Sequence, residues 1–397
     1  MSARRIYLDN SATTPLDPRV LEAMQPHLDA LFGNPSSLHQ EGRQARESLD
    51  RARGQVAALL NADPGEIFFT ASGTESDNLA LAGTIEALGQ PENHIITSSI
   101  EHAAVLETCR NLERRGVEVT YLPANAQGLI DPGELAGTFR PATRLVSIMT
   151  ANNVVGTVQP INALGRLAHE HGALFHTDAV QAAGRIPLDV RTQPIDLLSL
   201  AAHKIHGPKG VGALFVRKGI PIAPIIHGGG QEGGLRSATE NTAGLAGFGR
   251  AAEIARAEMS DEAARLVRMR DRIIERVAAL VPNAYLIGDR HRRLPGHVCL
   301  GFAGMEGESI RLLLAMDEAG IAVSTGSACG AHRGNQPSHV LQAMGFDPFR
   351  ARGSLRVTLG RFNTEADVEE FLRVLPAMAG DLRPITTYPI TTTHKGA

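Results

Sequence analysis

Length, composition and charge exclude several classes of protein. The chain has 397 residues, more than one ordinary hydrophobic core accommodates, so we expect two lobes. The formal net charge of -3, with 20% charged residues, indicates no general basic surface, which argues against direct binding of nucleic acid or of an anionic membrane. No segment approaches the roughly 20 apolar residues of a membrane-spanning helix, and the first residues lack the apolar stretch of a secretory signal.

The cysteine content predicts a reducing environment. Only Cys109, Cys299 and Cys329 occur, and their spacing fits neither a disulfide framework nor a zinc site. We therefore expect a cytoplasmic protein without a resident metal site.

Over the first 260 residues, short apolar runs alternate with longer amphipathic ones. Amphipathic runs at 103–112 and 163–171 are typical of helices. This alternation predicts an α/β fold with a largely parallel sheet. The runs that predict strands are 67–69, 95–96, 117–122, 145–149, 173–176, 197–200 and 210–216.

A different pattern begins near residue 261. A Gly-rich loop at 227–234 leads into a helical stretch from about 240, and a separate charged helix is predicted over 261–280. A strand at 298–302 and helices at 308–319 and 365–375 then indicate a smaller α+β domain. We expect three parts: a large domain (15–260), a small domain (1–14 with 261–382) and a Thr-rich, loosely ordered tail (383–397).

Lys204 and Asp178 each follow an apolar strand pattern. Lys204 enters a loop dense in Gly and Pro, where a single lysine is most often simply solvated. Asp178 stands at the carboxyl end of its strand, where open α/β sheets bind ligands. A carboxylate there could pair with a protonated ring nitrogen, although a lone aspartate in this position is more often a helix N-cap.

The segment 69–78 predicts a strand, a turn of small residues and the start of a helix. Unpaired N–H groups at that start, with the Thr74 hydroxyl, would suit a phosphate. It is not a Walker loop, because no Gly-Lys-Ser/Thr follows. An anion site, a carboxylate and a lysine at successive strand ends together match the requirements of pyridoxal 5'-phosphate.

A series of short motifs runs through the chain in a recognisable order: Asp9-Asn10-Ser11-Ala12-Thr13-Thr14-Pro15, Gly33-Asn34-Pro35, Gly73-Thr74-Glu75, Glu101-His102, Asn152-Asn153, Asp178-Ala179-Val180-Gln181, His203-Lys204, Gly230-Gln231-Glu232, Gly326-Ser327-Ala328-Cys329 and Leu359-Gly360-Arg361-Phe362. From Tyr7 to about Phe371 the chain resembles the cysteine desulfurases, the NifS- and IscS-like group I branch of the class V aminotransferase-like, fold-type I enzymes. The resemblance implies a large α/β domain with a mostly parallel seven-stranded sheet and a smaller α+β domain. It also implies removal of sulfur from L-cysteine with pyridoxal 5'-phosphate, giving L-alanine.

The resemblance further implies roles for individual residues. Lys204 would hold the cofactor covalently, Asp178 would pair with its ring nitrogen, and His102 would stack on its ring. Arg356 would bind the substrate carboxylate, which suits the forked geometry of a guanidinium group. The other cofactor contacts implied are Gly73, Thr74, Glu75, Asn153, Gln181, Ala201, His203 and Thr239, and the other substrate contacts are Asn153 and Asn10.

The resemblance also bears on the oligomeric state and on a pair of neighbouring asparagines. Thr239 would reach the phosphate from a partner subunit, so a homodimer is implied. Asn152 and Asn153 are adjacent, and the sequence does not decide which of them lies near the ring hydroxyl or the substrate carboxylate.

Three positions depart from the usual pattern of the family. Ala201 stands where serine is usual, Gly233 where arginine is common, and Ala238 where glycine is common. One hydrogen bond to the phosphate should therefore be missing or supplied by water.

Cys329 differs from the other two cysteines in its surroundings. Cys109 lies in a helical pattern and Cys299 in a strand pattern, both typical of buried thiols. Cys329 lies among small and polar residues, and an accessible thiol beside basic groups can act as a nucleophile. The resemblance implies that Cys329, with Lys204 and His102, is catalytic and receives the sulfur as a persulfide. With a scaffold partner, Cys329 could also be a transient iron–sulfur ligand.

Several functions remain open at this point. A selenocysteine lyase, an aminotransferase or another β-lyase could use the same fold. An interaction protein whose sulfur delivery depends on a partner is a different class of hypothesis. The sulfur acceptor is also open, since iron–sulfur scaffolds and the thiolation of tRNA or DNA all draw on enzymes of this type.

Overall fold

Residues 5–89, 92–305, 308–326 and 337–381 are described by the structure, a computed structural model. The strands are β1 (Ile6–Tyr7), β2 (Ile67–Thr70), β3 (His94–Ser98), β4 (Glu118–Leu122), β5 (Thr143–Ser147), β6 (Leu174–Asp178), β7 (Leu197–Ala201), β8 (Gly212–Val216), β9 (Ala284–Leu286), β10 (His297–Phe302), β11 (Ile321–Ala322), β12 (Ser324–Thr325) and β13 (Ser354–Thr358). The helices are α1 (Pro18–Met24), α2 (Gln40–Leu60), α3 (Gly73–Asn78), α4 (Thr84–Leu88), α5 (Ala103–Arg114), α6 (Pro132–Ala136), α7 (Ile161–Glu170), α8 (Thr242–Leu280), α9 (Ser309–Glu318), α10 (His339–Ala343) and α11 (Glu365–Asp381).

A seven-stranded sheet contains strands β2 to β8 in the order β2-β8-β7-β6-β5-β3-β4. β8 is antiparallel to both of its neighbours, and the other pairs are parallel. The predicted α/β fold with a mostly parallel sheet is thus confirmed. Because β2, β3, β5, β6 and β7 all point the same way, their carboxyl ends lie along one edge of the sheet.

Both faces of this sheet are covered, which explains why its central strands read as continuous apolar runs. Successive residues of one strand face opposite cores. Phe215 packs in the same cluster as Phe248 of α8, whereas Leu214 packs in the cluster that contains Val105 of α5. The helices thereby hold the strand ends, and the loops that follow them, in fixed positions.

A smaller four-stranded antiparallel sheet has the order β12-β13-β10-β9. It shares a hydrophobic cluster with α9, α11 and the carboxyl-terminal half of α8. Near the amino terminus, β1 pairs in parallel with β11 and its Ile6 joins the same cluster. This part of the structure contains both strands and helices, as the sequence pattern after residue 261 predicts.

One continuous helix, α8, spans 39 residues from Thr242 to Leu280. The prediction of a separate helix beginning at residue 261 is wrong. Ser260-Asp261 resembles the start of a helix, but the chain has no Gly or Pro from residue 250 to 280, so nothing interrupts the hydrogen-bonded turns. The domain boundary expected at 260/261 lies inside this helix, and the division into domains stays a prediction.

Candidate active site

A pocket of about 330 Å3 opens at the edge of the large sheet where the parallel strands end. This volume lies within the range of about 300–1,000 Å3 typical of small-ligand sites. Segments that follow β2, β3, β5, β6 and β7 all contribute to it, together with β13 of the smaller sheet. The predicted residues that line it are Gly73, Thr74, His102, Asn153, Asp178, Gln181, Ala201, His203, Lys204 and Arg356.

The turn after β2 forms the end of the pocket at which the sequence predicts a phosphate. The Ser72 hydroxyl caps α3 by accepting a hydrogen bond from the Glu75 N–H (3.1 Å). The first N–H groups of a helix have no partner within the helix, and here they begin at Gly73 beside the pocket. A Cβ on Gly73 would lie 2.7 Å from Val180 Cγ2, and one on Gly212 would lie 2.6 Å from the Ser72 carbonyl carbon. Glycine at both positions lets the turn pack this closely.

Asp178 is the last residue of β6 and is buried. Its carboxylate accepts a hydrogen bond from the Val180 N–H (2.9 Å). Burial raises the pKa of Asp178, while the charges of His102 and Lys204 act in the opposite direction. A protonated ring nitrogen bound here would likewise favour the ionised carboxylate, because an opposite charge stabilises it.

Lys204 ends a short 3-10 turn that follows β7. Its Nζ donates hydrogen bonds to the carbonyl oxygens of Ser11 (2.6 Å) and Ala12 (2.8 Å). The amine is therefore held at the pocket by the segment near the amino terminus. Ala201, at the end of β7, offers no side-chain oxygen to a phosphate.

His102 has two structural roles. It is the N-cap of α5, where its Nδ1 accepts a hydrogen bond from the Ala104 N–H (3.2 Å), and its side chain also lines the pocket. The cap restrains the ring at the pocket that Asp178 and Lys204 also line, and stacking of the ring on a cofactor stays a prediction.

Arg356 lies on β13 and its side chain is only 2% exposed. Its Nη2 forms an ion pair with Asp9 Oδ1 (2.9 Å), and its Nη1 donates to the Asn153 carbonyl oxygen (3.0 Å). Its buried Nε has no hydrogen-bond partner in the described part of the chain. A surface ion pair is therefore excluded, and the guanidinium can offer donors to a small carboxylate.

The structure separates the roles of Asn152 and Asn153. Asn152 is fully buried: its Nδ2 donates to the Ile100 carbonyl oxygen (2.9 Å), and its Oδ1 accepts from the Val154 N–H (2.8 Å). Its amide thus shapes the loop after β5. Asn153 is the neighbour that lines the pocket.

Gln181 and His203 contact the amino-terminal segment as well as the pocket. Gln181 Nε2 donates to the Ser11 carbonyl oxygen (2.9 Å), and its Oε1 lies 3.2 Å from Ser11 Oγ. His203 Nδ1 lies 3.1 Å from Thr13 Oγ1. Burial and the charge of Lys204 lower the pKa of His203 to about 4, so it presents a neutral ring at pH 7.

Three predicted site residues do not line the pocket. Asn10 Nδ2 donates to the Thr358 carbonyl oxygen (2.8 Å), and Glu75 accepts from Arg236 Nε (2.8 Å). Both side chains are thus engaged in holding neighbouring segments. Thr239 is exposed, outside the pocket of its own subunit. Direct contacts of these three residues with a ligand stay predictions.

Cys329 lies outside the described residues. The described chain before it ends at Gly326, whose N–H donates to Ser354 Oγ (3.0 Å) on β13. The adjacent β12 pairs Ser324 with Arg356. Gly326 is therefore anchored next to the strand that carries the pocket arginine.

Asp77 and Ser11 line the pocket, and sequence reasoning assigned neither. Asp77 follows Thr74 by three residues on α3, and this spacing places both side chains on one face of the helix. The sequence could therefore have indicated that Asp77 lies at the pocket. Ser11 belongs to the amino-terminal segment, and its distance in sequence from the strand ends gives no such signal.

The chemical groups around the pocket fit pyridoxal phosphate. A helix start suits its phosphate, Asp178 its ring nitrogen, and the Lys204 amine its aldehyde. Asp77 Oδ1 and Arg356 Nε, two buried polar atoms of residues that line the pocket, have no hydrogen-bond partner among the described residues. Unpaired buried groups of this kind are costly, so both side chains require a physical explanation.

Comparison with known proteins agrees with this chemistry. Residues 6–371 match the class-V aminotransferase family. The cysteine desulfurase IscS of Dictyoglomus turgidum is 48% identical over 97% of this chain and 97% of that protein. The structure of a NifS-like protein is 40% identical, with a TM-score of 0.89 over 95% of this chain and 100% of that one. A structure described as SspA in complex with cysteine is 37% identical, with a TM-score of 0.79 over 90% and 100%. The chain therefore belongs to the class-V aminotransferase family and, within it, to the pyridoxal-phosphate-dependent cysteine desulfurases.

Proposed function

We propose that this cysteine desulfurase transfers the sulfur of L-cysteine to Cys329 through the pocket at the sheet edge. The observation that carries the proposal is the convergence of the Lys204 amine, the Asp178 carboxylate and the Arg356 guanidinium on one pocket. In the overall reaction, L-cysteine and the Cys329 thiol give L-alanine and a Cys329 persulfide.

Each of the three groups has a distinct task. Arg356 binds the carboxylate of cysteine and fixes its orientation. The Lys204 amine removes the proton from Cα and later returns it. Asp178 holds a negative charge that keeps the ring nitrogen protonated. Bound pyridoxal phosphate supplies the electron sink for the pair of electrons left at Cα.

Sulfur transfer requires a nucleophile on the enzyme. The Cys329 thiolate attacks the sulfur of the substrate, so that an S–S bond forms while the Cβ–S bond breaks. The electron pair of the broken bond passes to the carbon skeleton, which takes up a proton at Cβ and leaves as alanine. Gly326 is only three residues from Cys329, a span of at most about 11 Å, and it is anchored beside β13.

A second subunit would complete the phosphate site. Thr239 is exposed and lies apart from the pocket of its own subunit, which supports contact with the pocket of a partner. We infer a homodimer in which each Thr239 serves the other active site.

The persulfide would pass to an acceptor protein, such as an iron–sulfur scaffold or a protein that thiolates tRNA or DNA. Among the helices described, none is both long enough and apolar enough to cross a membrane. With the cysteine pattern of the sequence, we infer that this transfer takes place in the cytoplasm.

The first test is incubation of the holoenzyme with L-cysteine and a thiol reductant, with alanine and sulfide measured together. Equal amounts are expected. Cys329→Ala should bind the cofactor normally yet form no persulfide, because the accepting thiol is missing. Cys109→Ala is the matched control, since it removes a buried thiol of α5.

Other products would contradict the proposal. Pyruvate with ammonia and sulfide would indicate β-elimination, and a keto acid with an aminated cofactor would indicate transamination. Full release of sulfide by Cys329→Ala would exclude Cys329 as the acceptor.

A further inference from the structure

Asp77 is a buried carboxyl group at the pocket that the proposed mechanism does not use. It lies on α3, is 1% exposed, and lines the pocket together with Asp178. Its Oδ1 is buried and has no hydrogen-bond partner in the ranges of the chain that are described. A carboxyl group in this position requires a physical explanation, because an isolated buried charge is very costly.

The groups that face Asp77 from β6 and β7 carry no compensating charge. His176 Nε2 lies 3.7 Å from Asp77 Oδ1, on the same strand face as Asp178 two residues further along. Its ring is held between Ser147 Oγ (2.8 Å) and Ser199 Oγ (3.0 Å). Burial lowers the pKa of His176 to about 3, so the ring is neutral at pH 7.

The charged neighbours determine which of the two aspartates is ionised. Asp178 disfavours a negative charge on Asp77, and the Ser199 hydroxyl acts in the opposite direction. Asp178, by contrast, faces the cationic amine of Lys204. Two carboxyl groups in one buried site cannot both ionise readily, so they share a proton. The Lys204 cation favours placing the charge on Asp178 and the proton on Asp77.

We propose that Asp77 is a positioning residue for the cofactor: as a neutral carboxylic acid, it keeps the negative charge of the pair on Asp178, where the ring nitrogen binds. Burial and the charge of Asp178 raise the pKa of Asp77 well above its ordinary value, in agreement with this geometry. A neutral polar group also supports the Asp178 charge by its dipole, which an apolar side chain cannot do. The inference rests on the proposed function, because it assumes that Asp178 meets the ring nitrogen.

The test compares Asp77→Asn with Asp77→Leu, two neutral side chains of similar size that differ in polarity. The readouts are the dissociation constant of pyridoxal phosphate, titrated into cofactor-free protein, and the absorption maximum of the bound cofactor. Asp77→Asn should bind within about threefold of wild type with an unchanged spectrum. Asp77→Leu should bind at least about tenfold more weakly, with a shifted spectrum.

Two outcomes would overturn the inference. Equal weakening by Asn and Leu would mean that Asp77 acts as an ionised carboxylate, and equal tolerance of both would mean that it only fills space. Thermal unfolding of each variant checks the fold. If Asp77→Leu is unstable, Asp77→Ala provides the apolar comparison, and weak binding by a stably folded Asp77→Asn would alone refute the idea.

Asp178→Asn separates this inference from the proposed function. It should weaken cofactor binding and shift the spectrum whether or not Asp77 matters. Normal binding and an unchanged spectrum in Asp178→Asn would refute the ring contact itself, and with it both proposals. An impaired Asp178→Asn combined with an impaired Asp77→Asn would refute only the role of Asp77.

Discussion

Arg356 combines complete burial with two different partners, an ion pair to Asp9 and a hydrogen bond to the Asn153 carbonyl oxygen. A guanidinium group can keep such contacts and still present a planar pair of donors to a carboxylate, whereas an ammonium group is a point charge. A lysine at position 356 would therefore keep the positive charge but lose the paired donors that we expect to bind the substrate carboxylate.

We predict that Arg356→Lys raises the KM for L-cysteine by about 10- to 100-fold, the equivalent of losing one or two charge-assisted hydrogen bonds. The change in kcat should be smaller, because the reacting groups are unaltered. Steady-state kinetics on the holoenzyme measure both. Arg350→Lys, at an exposed position, is the control. A fall in kcat with an unchanged KM would contradict the role in substrate binding.

Glu101 is fully buried, and its carboxyl group accepts hydrogen bonds from the Ser98 hydroxyl and the Met149 N–H. Burial raises its pKa from 4.5 to about 8. Between these values the folded protein retains a proton that the unfolded chain has released. The free energy of unfolding therefore falls as pH rises, by at most about 1.4 kcal/mol per pH unit from this group.

We predict that Glu101→Gln removes this contribution. The free energy of unfolding of wild type, relative to the variant, should decline from pH 5 to pH 8 in urea denaturation experiments with saturating cofactor. Comparing the two proteins cancels the opposite effect of buried histidines such as His176. Glu47→Gln, an exposed helical position, is the control. Parallel pH profiles for wild type and Glu101→Gln would refute the prediction.

At the scale of elements, α8 connects the two hydrophobic clusters that flank the pocket. Leu245 and Phe248 pack in the cluster of the large sheet, whereas Leu266 and Ile273 pack in that of the smaller sheet. A helix of 39 residues is about 58 Å long. The cluster of the smaller sheet also contains Leu355 and Val357 of β13, so α8 connects the strand that carries Arg356 with the large sheet.

We predict that Ser260→Pro lowers the free energy of unfolding by about 3 kcal/mol or more, because proline removes a hydrogen bond and clashes with the preceding turn. Ser260→Ala at the same exposed position should change it by less than about 0.5 kcal/mol. Urea denaturation measures both. Equal stability of the two variants would mean that the helix tolerates a break here and does not couple the clusters.

Periodicity predicted the strands of the large sheet from local signals, but it left out the helix α2 (Gln40–Leu60) and the pairings that depend on distant residues. The strands from β2 to β8 were predictable because their apolar runs are short and separated by helical patterns. The pairing of β1 with β11 joins Ile6 to Ile321 and has no local signal. Likewise, the loop after β5 directs the side chain of Asn153, but not that of Asn152, toward the pocket, and the sequence does not encode this difference locally. The raised pKa of Asp77 depends in part on Asp178, a residue of another element.

At the scale of the molecule, the amino-terminal segment completes the pocket from outside the large sheet. Ser11 accepts a hydrogen bond from the Lys204 Nζ through its carbonyl oxygen and contacts Gln181, while Asn10 is bound to Thr358 at the end of β13. The pocket thus depends on contacts among the first 15 residues, the large sheet and the smaller sheet.

At the same scale, two exposed apolar side chains are candidates for the interface of the proposed homodimer. Phe32 is 74% exposed and Leu38 is 91% exposed. Ser36, which lies between them in sequence, lines a surface depression of about 330 Å3 together with residues of the loop from Gly229 to Glu240. Thr239 precedes Glu240 in that loop and is itself exposed.

We predict that Phe32→Asp converts a dimer into a monomer, because a charge would be buried in the apolar contact. Light scattering measures the mass, and titration with pyridoxal phosphate measures affinity, which should fall in parallel as the partner's Thr239 is withdrawn. Thr239→Ala should weaken binding in a protein that remains dimeric. Leu314→Asp on α9, also an exposed leucine, is the control for adding a charge. A monomeric Phe32→Asp with undiminished affinity for pyridoxal phosphate would mean that each subunit binds the phosphate by itself.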